Sequence, residues 1–203
     1  MDEKTRLFYE HVSEDFIKAY EQADMSQMRG FLRYFKGQGS LLDIGCGTGR
    51  DAAYYCRLGY DVTAIDASQA MVEKARQLHP ELAGRCFTQG LPLDSDFYAH
   101  QRFDHICCAA VLMHIPDQDL NLCLEQIVNL LKLEGRMMIS VSRHRQDLDC
   151  EQRDADGRLF HERDPSEYQG RLQQHGCTLL MSSTQSDALG RKHLEWVSMV
   201  FAR

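Results

Sequence analysis

Residues 41–53 read LLDIGCGTGRDAA, and the fold and chemistry of the chain turn on how that stretch is understood. Its apolar start has the length of a buried strand. Three glycines, Gly45, Gly47 and Gly49, follow at alternate positions before the segment becomes helix-compatible. A strand, a glycine turn and a helix in that order bring backbone amides and a helix N-terminus up to a nucleotide or nucleoside. The spacing then discriminates between ligands. A dinucleotide loop reads G-x-G-x-x-G, and its third glycine lets the helix pack close to the strand; here that position is Arg50. The next apolar run, DVTAID, ends in Asp66, roughly 20 residues beyond the first glycine, the reach at which a carboxylate accepts both ribose hydroxyls. Loop and acidic strand end together predict a nucleoside site.

The alternation of strand and helix extends in both directions from this unit. Upstream, Phe8, Val12, Phe16 and Tyr20 recur at helical spacing, and Met28, Phe31, Leu32 and Phe35 form a second apolar group, so two helices are expected before the first strand. Downstream, RDAAYYCRLG reads as a helix ended by Gly59, and SQAMVEKARQLH as a helix stopped before Pro80. GRCFTQ is a third strand, LPLDSDFYAHQR a turn-rich stretch, and FDHICCAAVL a continuously apolar strand of the kind buried on both faces. In IPDQDLNLCLEQIVNLLKLEG, Leu120, Leu124, Ile127, Leu130 and Leu131 make one apolar stripe on a helix expected to close at Gly135. RMMISVSR is the fifth strand, PSEYQGRLQQHG a helix, and CTLLMSS and HLEWVSMVFA two strands joined as a hairpin. The pattern predicts an α/β, Rossmann-like, doubly wound sheet, mostly parallel, with one antiparallel strand near an edge.

One domain is expected, with a helical cap over 1–38, a core over 39–142, a charged loop or lid over 143–164, and a helix with a hairpin over 165–203. The segment 144–164, HRQDLDCEQRDADGRLFHERD, is too long for an ordinary connection and carries both signs of charge, which reads as a functional or mobile loop, by default a solvated lid. A chain of 203 residues suffices for one buried α/β core. A net charge of −7, with no long basic stripe, disfavours nucleic acid as a partner. No stretch approaches the roughly 20 apolar residues that span a bilayer, and the start, MDEKTRLFYE, lacks the apolar core of a signal peptide, so a cytoplasmic protein is expected. The eight cysteines (Cys46, Cys56, Cys86, Cys107, Cys108, Cys123, Cys150 and Cys177) include no C-x-x-C pair. They are expected to be reduced and mostly buried thiols, with no metal site.

LLDIGCGTGR, VTAIDAS, LP, FDHICCAAVLMHI and LLKLEGRMMISV resemble the successive motifs of class I S-adenosylmethionine-dependent methyltransferases. That resemblance implies a seven-stranded sheet in the order 3-2-1-4-5-7-6 with strand 7 antiparallel, S-adenosyl-L-methionine as cofactor and S-adenosyl-L-homocysteine as product. GCGTGRDAAYY followed by GYDVTAIDAS is similar to the small-molecule and tellurite-resistance-type branch. By the same resemblance Asp43 and the loop residues Gly45, Cys46, Gly47 and Gly49 receive the methionine part, and Asp66 holds the ribose. Ala67 and Met71 border the adenine, Gln89, Gly90 and Leu91 supply its edge, and Ala109 also falls at the cofactor. Arg50 adds a charged contact or makes a surface salt bridge.

Methyl transfer from a sulfonium is an in-line displacement, which asks for alignment in a desolvated pocket more than for a diagnostic set of catalytic groups. A general base is needed only for an acceptor that arrives protonated. His114, in VLMHIP just past strand four, is the candidate, with packing as the alternative. Arg143 and His144, at the end of strand five, are candidates to meet an anionic acceptor. Tyr9, Phe16 and Tyr20 share a helical face and either close over the site or pack on the sheet. The link between the last strands holds Arg191, and Trp196 beyond it is expected in the core. CAAVLMHIP stands where DNA amino-methyltransferases carry an Asn/Asp-Pro-Pro-Tyr/Phe segment, which disfavours base nitrogens in DNA. The leading expectation is methyl transfer to a small molecule by a monomer or weak homodimer. A non-catalytic binding module for the same nucleoside is the alternative, and a nicotinamide-dependent oxidoreductase, opposed by Arg50, a third.

Overall fold

The computed structural model describes residues 2–99, 101–143, 145–191 and 194–203. Strands β1 Ser40–Ile44, β2 Asp61–Asp66, β3 Cys86–Thr88, β4 Phe103–Ala109, β5 Leu131–Arg143, β6 Thr178–Ser186 and β7 Glu195–Ala202 form one sheet in the order β3-β2-β1-β4-β5-β7-β6. β1 to β5 pair in parallel, and β7 lies antiparallel between β5 and β6. The expected strand order and the antiparallel strand 7 are both found.

Side chains alternate across each strand, so Leu41 and Leu42 enter different cores. Leu41 joins Val62 and Ala64 against Ala52 and Ala53 of α4 (Arg50–Arg57) and Val72 and Ala75 of α5 (Gln69–Leu78). Leu42 and Ile44 join the opposite core with Leu124 and Ile127 of α7 (Asp117–Leu130) and Tyr168 and Leu172 of α8 (Pro165–Gln174). Helices therefore cover both faces, and strand order reverses between β1 and β4. A crevice opens there at the carboxyl ends of the strands.

Four local expectations are corrected. The N-terminal region forms three short helices, α1 Glu3–Glu10, α2 Glu14–Gln22 and α3 Ser26–Arg29, followed by a 3-10 turn over 30–34. The first apolar group spans a break, because Ser13 caps α2 by accepting from the Phe16 amide at 3.2 Å. The turn-rich stretch after β3 contains a short helix, α6 Ser95–Ala99. α7 ends at Leu130 and β5 starts at the next residue, so Gly135 is not the helix stop. Its role is close approach: a Cβ there would sit 2.8 Å from the Lys132 carbonyl oxygen and 2.9 Å from that of Asp104.

The fourth correction concerns the charged segment between β5 and α8, which is folded into the protein rather than solvated. Arg145, Asp154, Arg158 and Arg163 are all buried. Asp154 accepts from Arg158 Nε at 2.9 Å and lies 3.6 Å from the Arg145 guanidinium. That guanidinium sits 3.6 Å over the ring of Phe160, and that of Arg158 sits 4.5 Å over Phe8 of α1. Arg163 reaches Asp117 at 2.8 Å and the carbonyl of Ile115 at 2.7 Å. The composition suggested solvation, but carboxylates of the segment and of α7 neutralise these arginines, and the rings of Phe160 and Phe8 cover Arg145 and Arg158.

Removing Asp154 leaves two buried guanidinium groups without their shared carboxylate. Asp154→Ala should cost about 3–5 kcal/mol of unfolding free energy in urea titration, whereas Lys36→Ala on the surface should leave the unfolding midpoint in place. Equal, small effects would mean that water already reaches the strap.

Candidate active site

β1 carries Asp43 to the edge of the crevice, and the glycine loop turns there into α4. The amides of Gly45 and Cys46 donate to the Ile65 carbonyl at 2.8 and 3.0 Å, tying the loop to β2. Asp66, at the end of β2, accepts from the Gly47 amide at 2.9 Å through one oxygen and from the Ser68 amide at 2.9 Å through the other. Gly49 has φ +82°, and a Cβ there would come within 2.8 Å of the Ala75 Cβ and 2.6 Å of Leu82. The third glycine thus serves the packing of α4 beside α5 and faces away from the crevice.

The loop borders a cavity of about 210 Å³. Of the residues singled out from the sequence, Tyr9, Phe16, Tyr20, Asp43, Gly45, Cys46, Gly47, Arg50, Asp66, Met71, Ala109 and His114 line it. The roof comes from α1 and α2, where the rings of Phe16 and Tyr20 stack at 4.3 Å and Tyr9 lies edge-on to Phe16 at 6.3 Å. Glu10 fixes α1 over the site by accepting from the Gln69 and Ala70 amides at the start of α5, both at 3.0 Å. Glu21 of α2 accepts from the Thr48 hydroxyl at 2.5 Å. The roof is therefore bonded to the loop it covers.

The glycine-loop end of the cavity is acidic. Burial pushes the Asp43 carboxyl up to about 8, and the nearby carboxylates of Asp51 and Asp66 add to the rise while Arg50 opposes it. Burial raises Asp66 as well, against the lowering effect of the amides it accepts from. Asp51, which sequence reasoning passed over, takes Arg29 at 2.9 Å and Arg50 at 2.5 Å. Arg50 also donates to the Tyr20 carbonyl. It lines the cavity, but its guanidinium is occupied in joining α4 to α2.

His114 stands at the other end. Its Nδ1 lies 2.5 Å from the Leu159 carbonyl oxygen of the strap, and because a carbonyl only accepts, Nδ1 carries the proton and Nε2 keeps its lone pair. Burial holds the imidazole down to about 4. The Leu159 amide donates to Thr5 Oγ1 at 2.8 Å, so strap, roof and His114 are linked. Ser140 of β5 and the β6–β7 link complete the wall. Trp196 is not a core residue: it is half-buried, lines the cavity and donates through Nε1 to Asp187 at 2.8 Å. Asp187 also takes Arg191 Nε at 3.0 Å and the amides of Leu189 and Arg191, shaping the link.

Besides Gly49, the predicted residues Ala67, Gln89, Gly90, Leu91 and Arg143 lie away from the cavity lining. Arg143 closes β5 opposite Glu195, with its Nε 3.6 Å from that carboxylate. Gln89 donates its amide to the Asp66 carbonyl at 2.8 Å, Gly90 abuts the Ala67 Cβ, and Leu91 is buried in the core. β3 is three residues long, so the chain after it turns inward beside Asp66 before reaching the opening. His144 lies outside the described residues. The wall formed by Ser140, Gln185, Asp187 and Trp196 carries no local motif, and only the placement of β7 beside β5 brings it to the site.

Residues 41–135 match the model of a family described as a methyltransferase domain. The chain is 40% identical over 81 residues to a ubiquinone biosynthesis O-methyltransferase of Alkalilimnicola ehrlichii, a match covering 38% of this chain and 32% of that protein. It spans less than half the length of the curated relatives it matches. The fold is similar to that of the 1,6-didemethyltoxoflavin-N1-methyltransferase of Burkholderia thailandensis, solved with 1,6-didemethyltoxoflavin and S-adenosylhomocysteine bound: TM-score 0.70 and 23% identity, over 93% of this chain and 85% of that one. The N-methyltransferase NodS of Bradyrhizobium japonicum, solved with S-adenosylhomocysteine, gives a TM-score of 0.72 at 16% identity, over 100% of this chain and 99% of that one.

With its pKa held at about 4, His114 should stay neutral from pH 5.5 to 8, with the proton on Nδ1. Nitrogen-detected NMR of the histidine rings measures both; a midpoint near 6.5 would mean that the ring is hydrated and the strap open.

Proposed function

We propose that this chain transfers a methyl group from S-adenosyl-L-methionine to a small-molecule acceptor. The observation that carries the proposal is the division of the cavity into an acidic glycine-loop end and an aromatic end. Asp43, Asp51 and Asp66 surround the loop, and the one arginine lining that end is already bonded to Asp51 and to a carbonyl. Such a site suits a ligand carrying an ammonium and a sulfonium and repels the pyrophosphate of a dinucleotide. The donor set therefore fits the cofactor, and nothing in it favours a nicotinamide nucleotide.

When bound, the cofactor supplies an electrophilic methyl group on a positively charged sulfur. Asp43 is the partner for its ammonium, and Asp66, with its oxygens already oriented by two amides, is the acceptor for the ribose hydroxyls. Tyr9, Phe16 and Tyr20 exclude water and turn aromatic faces toward the positive sulfur. His114 Nε2, neutral and fixed in direction, accepts a hydrogen bond from an acceptor O–H, N–H or S–H. As the bond to carbon forms, that proton becomes strongly acidic, so even an imidazole held at about 4 can take it. Arg143 has no part in this scheme.

The acceptor class follows the likeness of the glycine loop to the tellurite-resistance-type branch, which points to compact, polarisable nucleophiles. The chain is acidic, and no helix among the described residues is long and apolar enough to cross a membrane. Calorimetric titration with S-adenosylmethionine, S-adenosylhomocysteine and NADH tests the cofactor, with Asp66→Ala expected to weaken the first two at least tenfold. Binding of NADH alone would overturn the proposal. Release of S-adenosylhomocysteine with an acceptor separates an enzyme from a binding module.

The raised Asp43 carboxyl adds a pH signature. In the free protein it is mostly protonated at pH 7, and a ligand ammonium favours its ionised form, so binding expels a proton. Affinity for S-adenosylhomocysteine should therefore rise several-fold from pH 6.5 to 8 and level off above about 8, with a ceiling of about tenfold per pH unit. Asp43→Asn should bind weakly and show no such slope; a slope that persists in the variant would assign the proton elsewhere.

A further inference from the structure

Two thiols meet behind the glycine loop. Cys46 lies between Gly45 and Gly47 and lines the cavity, and its Sγ is 3.6 Å from the Sγ of Cys86, the first residue of β3. Forty residues of chain separate them, yet the two sulfurs face one another. We propose that Cys46 and Cys86 form a dithiol modification site that a peroxide converts to a disulfide, and that this bond closes the cofactor end of the cavity until a thiol reductant reopens it.

The two cysteines differ in how firmly they are held. Cys86 pairs with Ala64 in the sheet, is fully buried, and its carbonyl accepts from Arg76 Nε at 3.1 Å. Cys46 sits in a turn between two glycines and has the cavity on its open side. A disulfide requires the sulfurs to close to about 2.05 Å, roughly 1.5 Å nearer than they stand. The loop must supply that movement, because β3 is anchored. The loop is also where Gly47 bonds Asp66 and Thr48 bonds Glu21, so drawing Cys46 toward β3 disturbs both the ribose acceptor and the tie to the roof.

The chemistry is available at both sulfurs. The hydrogen bond from Cys46 holds Cys86 below the usual thiol range, against the effect of its burial, while the same bond and burial hold Cys46 above it. A peroxide entering the cavity meets Cys46, which passes its proton to Cys86 across the Sγ–Sγ contact and attacks as the thiolate: an S–O bond forms as O–O breaks, giving a sulfenic acid and hydroxide. The Cys86 thiolate then attacks the Cys46 sulfur, S–S forms as S–O breaks, and a second hydroxide leaves. Each hydroxide takes up one of the two thiol protons, so two thiols lose two electrons and one peroxide becomes two waters. A bound cofactor covers the open side of Cys46 and should protect it. That reciprocity rests on the proposed cofactor site, whereas formation of the disulfide does not.

The experiment treats reduced protein with equimolar hydrogen peroxide, maps crosslinks by mass spectrometry, and titrates S-adenosylhomocysteine before oxidation, after it, and after dithiothreitol. Trypsin cuts after Lys36 and Arg50 around one cysteine and after Arg85 and Arg102 around the other, so the crosslinked peptide is unambiguous. The expected result is a Cys46–Cys86 bridge, a loss of affinity of at least tenfold regained on reduction, and slower bridging in protein preloaded with the ligand. Cys86→Ser, with Cys86→Ala as a second variant should the buried hydroxyl hinder folding, should bind the ligand before and after peroxide. The proposal is overturned if peroxide leaves both thiols free, if the bridge forms with affinity unchanged, or if a Cys86 variant loses affinity to peroxide as the parent does. Reduced parent protein that never binds S-adenosylhomocysteine would fail the cofactor assignment instead and remove the closure, while the crosslink map would still decide whether the pair is oxidisable.

Discussion

Reversal of strand order between β1 and β4 is the constraint from which the rest follows. Helices that cross over from parallel strands must cover opposite faces on either side of that point, and no side chain from the sheet fills the space beyond the strand ends. The glycine loop enters this space because β1 borders the reversal, and Asp66 reaches it because β2 is its neighbour in register, Ile44 lying against Ile65. The Gly47–Asp66 hydrogen bond then couples the loop to the strand end.

Electrostatics divides the cavity that results. Asp43, Asp51 and Asp66 gather at one end, where burial and neighbouring carboxylates disfavour the charge of Asp43 and Asp66, and Asp43 bears most of that penalty. Such an arrangement is unfavourable for the empty fold and is relieved by a cationic ligand, a strain of the kind expected at a binding site. At the other end the neutral His114 and the aromatic roof provide alignment and dryness. The β6–β7 hairpin, through Asp187 and Trp196, closes the remaining side.

The strap between β5 and α8 links stability to the site. Its buried ion cluster holds Phe160 and Leu159 in place, and Leu159 in turn sets the tautomer of His114 and anchors α1 through Thr5. A charged segment thus acts as a structural wall, because its arginines find their acids within the same segment, on α7 and at the start of α1, where Asp2 takes Arg153.

The mostly parallel two-faced sheet, the glycine loop and Asp66 were legible in the sequence, because apolar periodicity, turn residues and a fixed loop-to-carboxylate spacing are local properties that one dimension records; the strand order came from the family resemblance. Helix ends were less so: Gly135 looks like a stop signal but serves the approach of two carbonyls that only the folded sheet brings near it. Arg143 illustrates the same limit, since a cation at a strand end reads as available until antiparallel pairing sets Glu195 beside it. The sequence by itself determined the fold class and the place of the glycine loop and of Asp66 at the next strand end. Tertiary structure alone decided the far wall, the burial of the strap, the charge state of His114 and the meeting of Cys46 with Cys86, because each depends on distances between segments far apart in the chain, and desolvation and pairing act through distance in space rather than position in sequence.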